Sequence, residues 1–222
     1  MFKEIIKIFK SDSLYEQALN ECHEMLDIDM TMFTESIKSL RKSDSANINI
    51  DIFAMDKKIN EFERDVRRKV MTHLAISGTE DLGSGLVLIS VVVDIERIGD
   101  YTKNIYELAV NHPKKLNGYV FEDKLANIEK NTRNLFNSTI ETFKNQDVEL
   151  ARKIMKDYKK EISKKCDEIT NTIVSSKVDI EADSATAVAL YARYLKRISA
   201  HSRNLISSVV NPFERIGYPE EK

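Results

Sequence analysis

The sequence predicts an all-α protein built from two tandem, pseudo-repeated three-helix bundles. Residues that interrupt helices are rare, with only 6 Gly and 3 Pro among 222 residues. Apolar residues recur at helical spacing along nearly the whole chain, and the alternation typical of strands is scarce. The two halves also match each other in order, which indicates an internal duplication.

The first half begins with a short amphipathic segment, for which a short helix is expected. Its apolar residues are Phe2, Ile5, Ile6 and Phe9. This pattern suits a membrane surface or a protein surface, and we expect docking on the bundle or in a dimer interface. Long helices are then expected over residues 14–42, 50–77 and 86–111. The stretch KSDSAN separates the first two, and SGT followed by GSG separates the next two.

The second half repeats this order, giving six long helices in all. Its helices are expected over residues 122–144, 148–176 and 182–210. The stretch ERIGDYTKN at 96–104 aligns with KRISAHSRN at 196–204, and DKKIN at 56–60 aligns with DYKKE at 157–161. In the first helix of each half, Phe33, Ile37 and Leu40 correspond to Phe136, Ile140 and Phe143. The expected divisions are an N-terminal segment 1–12, bundles at 13–114 and 115–212, and a tail at 213–222.

Composition excludes several classes of protein. Charged residues are 32% of the chain but balance to a formal net charge of -2, so no nucleic-acid partner is expected. The longest apolar run, LVLISVVV, is far shorter than the ~20 residues that span a bilayer. The N-terminus lacks the pattern of a signal peptide, and the two distant cysteines indicate a reducing compartment. A cytoplasmic protein is expected, with a peripheral position at the membrane left open.

One pair of acids stands out in the third helix. Glu96 and Asp100 are four residues apart and therefore project together from a helix that is apolar nearly all round. A buried carboxylate must be protonated, paired with a base or bound to a cation. The preceding helix supplies further oxygen ligands at i, i+4 and i+7, namely Asp56, Asn60 and Glu63. Such oxygen donors favour a hard cation such as Mg, Mn, Ca or Fe.

Other interpretations of this pair remain open. The acids are also compatible with a solvated helix edge or with ion pairs, and Arg97 is an available partner. The four histidines are dispersed and no E-x-x-H occurs, which disfavours zinc and a ferritin-like di-iron centre. No P-loop, G-x-S-x-G or dinucleotide motif is present, so an enzyme is not expected. A carboxylate-metal-dependent enzyme and a metal-free helical adaptor are the alternatives to a metal-binding regulator.

The string DIERIGDYTKNI resembles the repeated E/D-x-x-x-D motif of the PhoU family of phosphate-uptake regulators. DKKINEFERDV at 56–66 resembles the preceding-helix pattern of the same family, and both halves fit in order. The resemblance implies two three-helix bundles, a homodimer and metal clusters bound by the acidic motif. It also implies a non-enzymatic regulator of phosphate uptake or phosphate-starvation signalling.

The resemblance also implies partners and ligands. The partners are a membrane phosphate transporter or its cytoplasmic subunit, and a sensor histidine kinase. Carried over by position, the metal ligands are Glu96, Asp100 and Asp56, and Asn60 stands where the family often has Asp.

The second half departs from the motif. Lys196 and Ala200 replace both acids, while Asp157 and Glu161 remain on the preceding helix without facing partners. We therefore expect at most one metal site, in the first half, and expect that Lys196 can pair with Asp157 or Glu161.

Overall fold

The structure, a computed structural model, describes residues 13–112, 114–158 and 162–220, with side chains except those of 156–158. The expected N-terminal segment 1–12 lies outside the described residues. The described α-helices are α1 Leu14–Lys42, α2 Ile52–Ser77, α3 Leu82–Asn111, α4 Glu122–Asn145, α5 Val148–Tyr158, α6 Lys164–Val174 and α7 Ala182–Val210. The described part of the chain contains no strand. The predicted all-α fold is confirmed.

Local chemistry accounts for the helix ends. The Ser13 hydroxyl accepts a hydrogen bond from the Glu16 amide at 3.2 Å at the start of α1. Asp51 caps α2 in the same way, accepting from the Ala54 amide at 3.0 Å. Gly78 ends α2 with a positive φ of 78°, which glycine adopts without strain.

The helices form two bundles that lie side by side. In the first bundle α1, α2 and α3 pack on one another, and in the second α7 packs on α4, α5 and α6. The bundles meet mainly where α3 packs against α7. Each half contributes a fully buried phenylalanine to the contact between α1 and α4, where the rings of Phe33 and Phe136 meet edge to face at 6.0 Å.

Two helix boundaries differ from the sequence prediction. The stretch GSG does not separate helices, because α3 begins at Leu82 and includes it. Gly85 lets α2 and α3 approach closely there, since a Cβ at this position would lie 2.9 Å from a terminal methyl group of Leu74 of α2. The fifth long helix is divided into α5 and α6, with a π-helical turn at 162–163 just before α6. Within the described residues, no helix is both long enough and apolar enough to cross a membrane.

The C-terminal tail folds back on α7. The Gly217 amide donates to the Ser207 hydroxyl at 2.7 Å, and Arg203 donates to the Gly217 carbonyl at 2.8 Å. Arg152 of α5 pairs with Glu220 at 2.7 Å. These contacts attach the described part of the tail to the second bundle.

Candidate functional site

The predicted acids of α2 and α3 lie at the edge of the first bundle's core. Their side chains are 12% exposed for Glu96, 15% for Asp56 and 28% for Asp100. The Lys103 ammonium lies between the two helices, 2.8 Å from Asp56 Oδ2 and 3.4 Å from Asp100 Oδ1. The structure therefore brings Asp56 and Asp100 to one place, with a lysine already between them.

The other predicted residues of α2 lie beside this group. The Asn60 amide donates to the Asp56 carbonyl at 3.1 Å and approaches Asp56 Oδ2 at 3.5 Å. Glu63 pairs with Arg67 of its own helix at 2.7 Å. Asn60 thus lies next to Asp56, whereas Glu63 already has a cation of its own.

Arg97 is a second cation at the site. Its Nη1 lies 2.8 Å from Asp100 Oδ2 and its Nε lies 3.4 Å from Glu96 Oε2. The side chain is 51% exposed, so solvent weakens these ion pairs. Arg97 thus contacts both acids of α3, for which the sequence offered it as an available partner.

The residue that sequence reasoning missed is Asp29 of α1. Its side chain is fully buried, and neither carboxyl oxygen has a hydrogen-bond partner. Burial raises the pKa of Asp29 well above its usual value, and the charges of the three neighbouring acids raise it further. These acids are Glu96, Asp56 and Asp100. We call Asp29, Asp56, Glu96 and Asp100 together the acidic site.

Gly99 explains how Asp29 fits beside α3. A Cβ on Gly99 would lie 2.8 Å from Asp29 Oδ1 and 3.0 Å from Ile59 Cδ1. The side chains that approach α3 closely at Gly99 therefore come from α1 and α2. A sequence signal for Asp29 existed, since it interrupts the apolar stripe of α1 at helical spacing. The buried neighbours on that stripe are Met25, Leu26, Met32 and Phe33.

Glu96 is a predicted acid whose pKa is raised in the folded protein. Burial and the charge of Asp100 raise its pKa to about 7, although the charge of Arg97 opposes the shift. Its Oε2 atom accepts no hydrogen bond. Asp29 and Glu96 thus leave buried acceptor oxygens without a hydrogen bond, and the half-exposed Arg97 offsets only part of this cost at Glu96.

The donor chemistry of the acidic site fits a hard cation, since its free acceptors are carboxylate oxygens. Among the residues that the structure describes, however, no three His, Cys, Asp or Glu side chains are already arranged to hold a metal ion. Lys103 and Arg97 engage both oxygens of Asp100 instead. Metal binding at these residues stays a prediction.

The corresponding place in the second bundle is neutral. In the alignment of the two halves, Thr132 stands for Asp29 and Ser199 stands for Gly99. The hydroxyls of Thr132 and Ser199 are buried and hydrogen-bonded to each other at 3.1 Å. A hydroxyl pair thus fills the position that a lone carboxyl fills in the first bundle.

The remaining second-half residues are Lys196 and the two acids expected to pair with it. Lys196 lies 2.5 Å from Asp167, a residue of α6 that was not named as its partner. The Asp157 side chain and Glu161 lie outside the described residues, so the predicted pairs with Lys196 stay predictions.

The altered motif of the second half holds the two bundles together. His201 Nδ1 lies 2.6 Å from Asp94 Oδ1, and the Asn204 amide donates to the same oxygen at 2.9 Å. Arg197 Nη2 lies 3.0 Å from His201 Nε2 and Arg197 Nε donates to the Tyr101 hydroxyl at 3.2 Å. Because a guanidinium only donates, Nε2 must accept and the Nδ1 proton points to Asp94. His201 is a buried interface residue.

Fold and site define a class of protein with two helical-bundle repeats and acids on one of them. The family model described as "PhoU domain" matches residues 22–109 and 125–217. The chain belongs to the PhoU family.

Similar proteins cover nearly the whole chain. A Clostridium acetobutylicum protein named "Phosphate-specific transport system accessory protein PhoU homolog" is 22% identical over 213 residues, covering 92% of this chain and 93% of its own. The crystal structure of PhoU from Pseudomonas aeruginosa superposes with a TM-score of 0.72 at 19% identity, covering 90% of this chain and 97% of that one. The crystal structure of the regulatory protein PhoU from Streptococcus pneumoniae gives a TM-score of 0.74 at 15% identity, covering 88% and 93%. These structures support the fold.

Proposed function

We propose that this protein is a non-enzymatic regulator of phosphate uptake or phosphate-starvation signalling. The observation that carries the proposal is the match of the PhoU family model to both halves of the chain. The relative from Clostridium acetobutylicum is named as an accessory protein of a phosphate-specific transport system. The protein then acts by binding a partner, which agrees with the lack of catalytic motifs in the sequence.

The proposed partner is a membrane phosphate transporter or its cytoplasmic subunit, and a sensor histidine kinase is a further candidate. A transporter is favoured because the named relative belongs to a transport system. A cytoplasmic location and a homodimer complete the proposal.

The acidic site supplies a means of assisting such binding. Its residues come from α1, α2 and α3, so neutralising their charge would stabilise the packing of all three helices. When bound, Mg, Mn, Ca or Fe would supply that positive charge. Asp56, Glu96 and Asp100 would hold the cation, Asn60 would support Asp56, and the buried Asp29 would present its two unpartnered oxygens.

The test is a pull-down from membranes of phosphate-replete and phosphate-starved cells, with elemental analysis of the purified protein. The wild type is compared with a Glu96→Gln, Asp100→Asn double variant. The control is a Glu24→Gln, Glu61→Gln double variant, which removes two exposed acids from the same bundle.

We expect the wild type and the control to retain a phosphate transporter component, and the site variant to lose metal and part of that binding. If no transporter or kinase component is recovered under either condition, the regulatory proposal is wrong. If the site variant keeps its partner and the wild type carries no metal, the protein is a metal-free adaptor.

A further inference from the structure

We propose that Lys103 is a built-in counter-ion of the acidic site and that a metal ion binds there only by displacing its ammonium group. The inference deepens the proposed function and rests on its metal-binding part. It concerns a residue that the acid motif does not include.

The position of Lys103 carries the first step. Its Nζ lies 2.8 Å from Asp56 and 3.4 Å from Asp100, so it joins the same two carboxylates that a cation would join. The side chain is only 20% exposed. One ammonium therefore bridges a carboxylate of α2 and a carboxylate of α3. Two cations cannot share these oxygens at such distances without strong repulsion.

The strength of this contact is the second step. Burial by itself lowers the pKa of Lys103, but the hydrogen bond and charge of Asp56, followed by the charge of Asp100, raise it above its ordinary value. The ammonium is thus stabilised at the place where it lies. Displacing it costs part of the free energy that a metal ion gains on binding.

The second bundle gives an internal comparison. The residue aligned with Lys103 is Arg203, which donates to the Gly217 carbonyl of the tail at 2.8 Å. In that bundle the two motif acids are replaced by Lys196 and Ala200. In the first bundle the cation at this position of the repeat pairs with two acids, and in the second bundle Arg203 bonds the carbonyl of the tail.

The acidic site also has a buried part, which Lys103 does not reach. The Asp29 carboxyl is fully buried on the α1 side of the site and has no hydrogen-bond partner. Within the described part of the chain, Lys103 pairs with Asp56 and Asp100, while both oxygens of Asp29 and Oε2 of Glu96 accept no hydrogen bond. The lysine therefore neutralises only part of the acidic site, which leaves a deeper part with free acceptor oxygens.

The experiment measures Mn²⁺ binding by calorimetry and by the electron paramagnetic resonance of free Mn²⁺. The Lys103→Met variant removes the competing charge, and we expect its Kd for Mn²⁺ to be about tenfold lower than that of the wild type. Lys103→Arg keeps the charge and should remain near the wild type. The control is Lys58→Met on α2. Lys58 is 54% exposed, and its one ion pair in this structure's described part is a long one, 3.9 Å from Glu24.

A second readout needs no bound metal. Without Mn²⁺, Lys103→Met leaves Asp56 and Asp100 short of a cation, so its Tm should fall by roughly 2–4 °C relative to Lys58→Met. Mn²⁺ should restore that loss. Lys103→Gln serves the same purpose if the methionine variant does not fold.

The outcomes distinguish a failure of the role of Lys103 from a failure of metal binding itself. If the wild type and Lys103→Met bind Mn²⁺ equally well, metal binding stands and the role of Lys103 is wrong. If neither binds Mn²⁺ although both are folded by circular dichroism, the metal-binding proposal fails and the role of Lys103 fails with it. Binding by Lys103→Met alone would support a lysine that closes the site completely.

Discussion

Asp29 illustrates how one buried carboxyl makes stability depend on pH. Its pKa is raised in the folded protein by burial and by neighbouring acids, so the folded state keeps a proton that the unfolded chain releases above the ordinary value of 3.8. The folded state binds more protons in that window, and stability therefore falls as pH rises toward the folded pKa. The acidic site is a source of instability when no cation neutralises it.

An Asp29→Asn variant tests this effect. Asparagine cannot ionise, so the variant should not share the loss of stability that the wild type shows as pH rises. The Tm of the variant minus that of the wild type should therefore increase by roughly a few degrees between pH 5 and pH 8. Thermal melts followed by circular dichroism in the absence of metal measure it. Asp179→Asn, at an exposed position, is the control and should show no such trend. A pH-independent difference for Asp29→Asn would show that the pKa of Asp29 is not raised in the folded state.

Glu96 makes a second prediction that depends on the proposed metal site. Its pKa is raised to about 7 by burial and by Asp100, while a metal ligand must be ionised. Protonation of Glu96 should therefore lower Mn²⁺ affinity as pH drops below 7, and this one residue accounts for at most about tenfold for each pH unit. Titrations at pH 6, 7 and 8 measure it. Binding that stays constant over this range would remove Glu96 from the ligand set.

At the scale of the helices, Gly99 and Gly83 of α3 form a matched pair. A Cβ at Gly99 would meet Asp29 and Ile59, whereas a Cβ at Gly83 would have no atom within 4 Å. Gly99→Ala should lower stability by about 1–3 kcal/mol through overpacking. Gly83→Ala should be neutral or add up to about 1 kcal/mol, because alanine favours the helix. Denaturant unfolding distinguishes the two, and equal effects would contradict the close approach of α1 to α3.

The helices also show what the sequence allows and where it stops. Periodicity predicted the long helices and the orientation of Glu96 and Asp100, because those features depend on spacing within one element. The predicted start of α3 was wrong, because the sequence does not show that Gly85 lies inside the helix and against Leu74 of α2. Asp29 was missed for the same reason: its partners come from α2 and α3, and its own helix carries no motif.

The whole molecule depends on contacts that cross between the bundles. Arg41 at the end of α1 bonds the Leu116 carbonyl and pairs with Glu122 and Glu129 of α4. Asp94 of α3 accepts hydrogen bonds from His201 and Asn204 of α7. Both groups connect α-helices of different repeats, so the second repeat supports the helices that carry the acidic site.

Asp94→Ala tests whether the two bundles are energetically coupled. The change leaves His201 Nδ1 and the Asn204 amide without their common acceptor, which should cost about 2–3 kcal/mol. Because those donors belong to α7, amide exchange should accelerate in α7 as well as in α3, although the substitution lies only in α3. Hydrogen exchange measured by mass spectrometry follows both helices, with the exposed Arg193→Ala of α7 as the control. Faster exchange confined to α3 would mean that the bundles are stable independently and that the altered second motif does not hold them together.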